Sequence, residues 1–260
     1  MAHVAVNGDV LHYDDVGEVD APAVIWGHGF TLAAGSLRPV VNAMPTFRHV
    51  IVDFRGHGRS AAVTSDPTLW RMADDTWEIA QHLGLDRFFY VGHSMGSAVG
   101  MRLAARHPLA VVAGVGLAAV QGGGNPEVDR QVPEALAALV GNQEAMAAAL
   151  SGLFAHPGNK DLAAQMGRAA ALLDAGPLRT IATRELFLDE ADGIFRHLHQ
   201  PWLFVVPSED KAISPDHQFE WARAVPNSRV LWLEGEGHVF PQEIPDETAA
   251  FVKSFLTRHI

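Results

Sequence analysis

The chain has 260 residues, a formal net charge of −11, 48% hydrophobic and 19% charged residues, and no cysteine. This length suits one α/β domain with room for an insertion, and the composition excludes a disordered chain. The acidic balance disfavours nucleic acid and anionic membranes as partners, because such a chain gains nothing from phosphate charges. The lack of cysteine excludes disulfides, thiol chemistry and cysteine-based metal sites. The N-terminus has neither the basic start nor the long apolar run of a secretion signal, and no apolar run reaches membrane-spanning length. The expected location is therefore the cytoplasm.

In chain order, residues 3–6 and 10–14 flank Asn7-Gly8, a tight-turn pair, and predict an N-terminal hairpin. Short apolar runs follow at 23–27, 49–54, 87–92, 111–117, 201–206 and 229–233. They are continuous rather than alternating, the pattern of strands buried on both faces of a parallel sheet. Helical patterns lie between them. After Pro67, Leu69, Met72, Thr76, Ile79, Ala80 and Leu83 fall on one face of a helix over 67–83. Further helices are predicted over 95–106, 215–224 and 242–257. The alternation predicts an α/β fold, a mostly parallel sheet with helices on both faces. Residues 121–199 break the rhythm, starting with Gly122-Gly123-Gly124-Asn125-Pro126 and continuing Ala- and Leu-rich without a strand pattern. They read as a helical cap inserted into a core of residues 1–120 and 200–260. The alternative is a pair of ordinary crossover helices with long loops.

Gly92-His93-Ser94-Met95-Gly96 fits Gly-x-Ser-x-Gly between a predicted strand and a predicted helix. A turn that sharp holds the serine hydroxyl clear of the sheet at a helix N-terminus, and the glycines keep side chains out of a crowded space. Serine needs a base to take its proton and an acid to orient that base. His238, in Gly235-Glu236-Gly237-His238-Val239, and Asp210, in Pro207-Ser208-Glu209-Asp210, each follow a predicted strand. All three groups thus lie at C-terminal strand ends, where α/β sheets assemble sites. Glu209 competes with Asp210 for the acid role, and Asp210 is preferred. The backbone N–H groups of Met95 and of Phe30, in His28-Gly29-Phe30, are the expected oxyanion donors. Phe30, Met95 and Val239 are expected to touch substrate, and His28 to shape its loop.

These features resemble the α/β-hydrolase superfamily. The resemblance rests on His28-Gly29, the run Asp53-Phe54-Arg55-Gly56-His57-Gly58-Arg59-Ser60, the serine turn, Asp210, and His238 followed by Glu243 and Pro245. It implies Ser94 as nucleophile, His238 as base, Asp210 as acid, and a cap forming much of the pocket. It also implies that the Asp53–Ser60 run shapes a loop rather than reacting. The stretches 12–60 and 101–108 are similar to small carboxylesterases and enol-lactone hydrolases. Serine at the turn argues against dehalogenases and epoxide hydrolases, which carry aspartate there. Thr31 stands where related perhydrolases and haloperoxidases carry proline, and His93 where carbon–carbon bond hydrolases carry asparagine.

The resulting expectation is a serine hydrolase of a small, largely apolar ester or lactone. The alternatives are a cofactor-free perhydrolase, a carbon–carbon bond hydrolase, or a slow-turnover ligand receptor. No cofactor is expected. His197 and His199 are two apart, a spacing at which helical side chains do not face each other, so no metal is expected either. In the cap, Met146, Phe154, Met166, Leu172 and Phe187 line a pocket or pack the cap core. Arg130, Arg168, Arg179 and Arg184 are the cations available there to an acidic substrate.

Overall fold

The computed structural model describes residues 2–64, 67–120, 131–156, 158–170, 173–183, 191–195 and 197–260. Eight strands form one sheet in the order β1-β2-β4-β3-β5-β6-β7-β8. They are β1 Ala2–Val6, β2 Asp9–Val16, β3 Ala23–Gly27, β4 Arg48–Val52, β5 Phe88–His93, β6 Val111–Leu117, β7 Trp202–Pro207 and β8 Ser228–Leu233. β2 pairs antiparallel with β1 and β4, and all other pairings are parallel. The β1–β2 turn is made by Asn7 and Gly8, both left-handed at φ 51° and 89°, as a two-residue hairpin requires.

The predicted strands β3 to β7 match their apolar runs, and β3, β4, β5 and β7 are buried at every residue. β8 differs. It is the edge strand, with Val230 and Trp232 exposed, so its apolar run is not buried on both faces.

The helices of the sheet layers are α1 Arg38–Asn42, α2 Leu69–His82 and α3 Met95–Arg106 on the N-terminal side of the chain. On the C-terminal side they are α9 Pro215–Ala224, α10 Phe240–Glu243 and α11 Pro245–Leu256. They cover both faces. Met72, Ile79, Val99 and Leu103 belong to one core cluster, and Val40, Val41, Val252 and Phe255 to the other. α2 begins where Thr68 accepts the Arg71 N–H at 3.1 Å, a side-chain cap that satisfies one of the free donors of the first turn. The single helix expected over 242–257 is interrupted at Ile244 (φ −128°, ψ 61°), because Pro245 disfavours helical geometry in the residue before it. The short α1, with Pro39 in its first turn, escaped the periodicity reading.

Within 131–195 the described residues form five helices and no strand. They are α4 Gln131–Ala138, α5 Gln143–Ser151, α6 Lys160–Ala170, α7 Ala175–Thr183 and α8 Ala191–Phe195. Among the described residues, no helix is long and apolar enough to cross a membrane.

Candidate active site

The serine turn is built by close approach of main chains. Ser94 sits between β5 and α3 at φ 50° and ψ −119°, a conformation that costs roughly 1–3 kcal/mol for a residue with a side chain. Its N–H donates to the Leu117 carbonyl of β6 at 2.9 Å. A Cβ on Gly92 would lie 2.4 Å from the Gly96 carbonyl carbon, and one on Gly96 would lie 2.2 Å from the Gly27 carbonyl oxygen. Both positions therefore need glycine. The Tyr90 hydroxyl donates to the Gly96 carbonyl at 2.8 Å and pins the start of α3 onto the sheet.

Three side chains converge at this end of the sheet. Ser94 Oγ and His238 Nε2 are 3.0 Å apart, and His238 Nδ1 lies 2.9 Å from Asp210 Oδ2 and 3.1 Å from Oδ1. A carboxylate only accepts, so Nδ1 carries the proton and Nε2 presents its lone pair to the serine hydroxyl. All three residues are buried. Asp210 is held by further donors. Its Oδ1 accepts the N–H groups of Ala212 (2.9 Å) and Ile213 (2.8 Å), and its Oδ2 accepts Gln218 Nε2 at 2.9 Å. Glu209 makes no such contact; its N–H donates to the Glu236 carbonyl at 2.8 Å.

Gln218 is the residue that sequence reasoning missed. It is fully buried on α9, and it donates to the same Asp210 oxygen, Oδ2, that lies nearest His238 Nδ1. The only sequence signal was a glutamine within an amphipathic helix, which looks like any surface amide.

His93 ties the serine turn to the histidine loop. Its Nε2 lies 2.9 Å from the His238 carbonyl, which can only accept, so Nε2 is the protonated nitrogen. Burial, aided by the proximity of His238, lowers its pKa to about 3, and the ring is neutral at working pH. His28 is likewise lowered to about 4 by burial. Its Nδ1 donates to the Gly29 carbonyl at 2.8 Å and its Nε2 accepts the Phe54 N–H at 3.1 Å, which makes it the loop-shaping residue expected.

Met95 is the first residue of α3, where an N–H has no intrahelical acceptor. Phe30 precedes Thr31, whose φ of 61° is unusual for a β-branched residue and whose hydroxyl donates to the Phe30 carbonyl at 2.6 Å.

A cavity of about 50 Å³ opens at Ser94 and His238. Phe30 and Val239 line it, with Leu136, Leu150, Leu153 and Met166 from the helical segment. The Met95 side chain does not. It is fully buried in the core, so only its main chain can serve the site. Met146 and Phe154 pack into the core, Arg168 and Arg179 are exposed and away from this cavity, and Leu172, Phe187, Arg130 and Arg184 lie outside the described residues.

The Asp53–Ser60 run does not reach the cavity. Asp53 accepts the Ala34 N–H at 2.7 Å and pairs with Arg59 at 2.7 Å, while Arg59 also pairs with Asp14 at 3.0 Å. Arg55, fully buried, pairs with Asp75 at 2.8 Å and with Asp9. These pairs tie the N-terminal hairpin and the β3 loop to the sheet.

The helical segment grips the histidine loop directly. Glu243 accepts the N–H groups of Ala155 and His156, both at 3.0 Å, and His156 Nε2 lies 3.1 Å from the Glu236 carboxylate. Among the described residues, no group of three or more His, Asp or Glu side chains is placed to hold a metal.

A family model described as "alpha/beta hydrolase fold" matches residues 22–243. A putative carbamate hydrolase of Rhizobium rhizogenes is 38% identical over 91 residues, 34% of this chain and 35% of that protein. A bifunctional esterase/perhydrolase of Acinetobacter calcoaceticus is 33% identical over 111 residues, 42% of this chain and 40% of that protein. The chain thus spans well under half the length of these curated relatives. Among solved structures, the enol-lactonase of Burkholderia xenovorans superposes with a TM-score of 0.85 at 27% identity, covering 98% of this chain and 100% of that one.

Proposed function

The chain belongs to the α/β-hydrolase fold family, and on that premise we propose that it is a serine hydrolase that cleaves a carboxylic ester or lactone of a small, largely apolar substrate. The observation that carries this reading is the unbroken hydrogen-bonded line from Ser94 Oγ through His238 to Asp210, opening into a small apolar cavity. The names of the similar esterase and enol-lactonase support the bond type.

In this reading Ser94 Oγ attacks the acyl carbon as His238 Nε2 takes its proton. The oxygen that becomes negative is held by the Met95 and Phe30 N–H groups, and each such donor is worth about a hundredfold or more in rate. His238 then delivers the proton to the departing alcohol oxygen, and the acyl group stays on Ser94. Water, deprotonated by the same nitrogen, releases the acid and restores the serine. Asp210 keeps the proton on Nδ1 and stabilises the cationic imidazole, and the Ala212, Ile213 and Gln218 donors keep Asp210 in place.

Residues 121–199 act as the cap over a core of 1–120 and 200–260, and the small cavity at Ser94 takes the part of the acyl group next to the reacting carbonyl. Labelling by a fluorophosphonate tests the reading. Mass spectrometry is expected to find the adduct on Ser94 alone, and labelling elsewhere, or none, would remove the proposal.

A peracid-forming side activity is a second reading, favoured by the similarity to the bifunctional esterase/perhydrolase. Hydrogen peroxide would replace water in the second half-reaction. Peracid formed from peroxide and acetate by wild type, and absent with Ser94→Ala, supports it.

A further inference from the structure

A second cavity, about 110 Å³, lies between α6 and the turn Ala34–Leu37. Leu32 and Met166 line both this cavity and the one at Ser94, so these two side chains form the partition between them. A methionine, unbranched and with three rotatable bonds, swings aside readily. Beyond it the walls are largely apolar, with Pro39, Leu162 and Ala169 among them.

Of the polar residues there, Ser36 donates to the Ala33 carbonyl and Gln165 is exposed, whereas Gln242 is buried. It lines the second cavity, is only 6% exposed, and neither its Oε1 nor its Nε2 has a hydrogen-bond partner among the described residues. Buried polar atoms in folded proteins are nearly always paired, because leaving one unpaired costs more than pairing it gains. The unpaired carboxamide stands in the wall of this cavity, where rotation of the side chain would present a donor and an acceptor to a polar group of a ligand. Gln242 stands on α10 and lines this cavity, so a chain attached at Ser94 that passes Leu32 and Met166 enters the space it borders.

We propose that this second cavity binds the distal part of the substrate's acyl chain, and that Gln242 recognises an oxygen function, a keto or hydroxyl group, carried on that chain. The preferred substrate is then an ester or lactone of a mid-chain oxygenated acid rather than of a plain alkanoic acid. The inference rests on the serine hydrolase reading only in placing the other end of the chain at Ser94.

The test compares kcat/KM for p-nitrophenyl octanoate and its mid-chain oxo isomers, each relative to the acetate, in wild type, Gln242→Leu and Ala169→Leu. Wild type is expected to prefer at least one oxo isomer over plain octanoate by tenfold or more. Gln242→Leu is expected to lose that preference while keeping the plain octanoate. Ala169→Leu fills the cavity and is expected to lower both octanoyl-to-acetyl ratios at least tenfold, since each displaced methylene is worth about fourfold. Equal treatment of oxo and plain chains by wild type and Gln242→Leu would overturn the proposal.

If wild type hydrolyses no ester, calorimetry with Ser94→Ala and free oxo-octanoates decides. Binding that weakens tenfold on adding Gln242→Leu keeps the cavity assignment and removes the hydrolase reading. Binding that is absent or indifferent to Gln242 removes the cavity assignment.

Discussion

Replacing Gly96 by alanine sets a methyl group against the main chain of β3. The added carbon would stand 2.2 Å from the Gly27 carbonyl oxygen, 2.5 Å from its carbon and 2.9 Å from the His28 carbonyl oxygen. All three are backbone atoms, so no side chain can turn away. Contacts under 3.0 Å are not tolerated, so α3 and β3 must separate by about 0.8 Å. Overpacking of this kind costs roughly 1–3 kcal/mol, which in a protein of this size lowers Tm by several degrees. The catalytic effect should be larger than the loss of stability suggests. α3 carries Ser94 at its start, and a displacement near 1 Å at a reacting group costs about a hundredfold in rate. The assay is kcat on p-nitrophenyl acetate beside thermal unfolding for Gly96→Ala. Gly193→Ala, at an exposed helical position with no atom of the described residues within 4 Å, is the control and should be neutral or slightly stabilising. A Gly96→Ala enzyme with wild-type kcat and Tm would refute the close-approach argument for the serine turn.

Three further predictions follow from the contacts around the histidine. Asp210→Asn removes the negative charge and lets the amide NH2 donate to Nδ1, which puts the histidine proton on Nε2, so kcat should fall by about 10⁴ with the fold intact by circular dichroism. Gln218→Leu removes one donor from that carboxylate, worth about 1–1.5 kcal/mol, so kcat should fall about tenfold at constant KM in steady-state kinetics. The Glu236 carboxylate raises the His156 pKa, so the stability this pair contributes is fully present below the ordinary histidine value of about 6.5 and is lost as pH rises through the raised value. The Tm difference between wild type and His156→Gln should therefore be present at low pH and vanish at high pH; a difference that grows with pH would contradict the pairing.

The strands that position the site were legible because β3, β4, β5 and β7 are buried on both faces, and burial writes a continuous apolar run into the sequence. β8 carried a similar run, yet it is an edge strand whose Val230 and Trp232 meet solvent, a distinction that depends on strand order and not on local composition. Pro245 fell inside the single helix expected over 242–257, and its restriction of Ile244, which splits that helix into α10 and α11, was overlooked. Ser94, Asp210 and His238 were readable because each follows a strand in a loop rich in turn residues. Gln218 and Gln242 were not, because a buried amide looks in sequence like a solvated one. Its neighbours appear only once the fold is in place. Met95 was expected to touch substrate, and the buried position of its side chain leaves its main chain as the part that can do so. Side-chain direction at a helix start is set by the turn that precedes it, and that turn could be recognised from its motif but not oriented.

The measurement closest to the central claim is hydrolysis of a p-nitrophenyl ester and lactone panel by wild type and Ser94→Ala, with no metal or cofactor added. Wild type is expected to turn over, and the variant to lose about a thousandfold or more in kcat, with residual rate left to the oxyanion donors. A Ser94→Ala protein that keeps wild-type activity would contradict that claim.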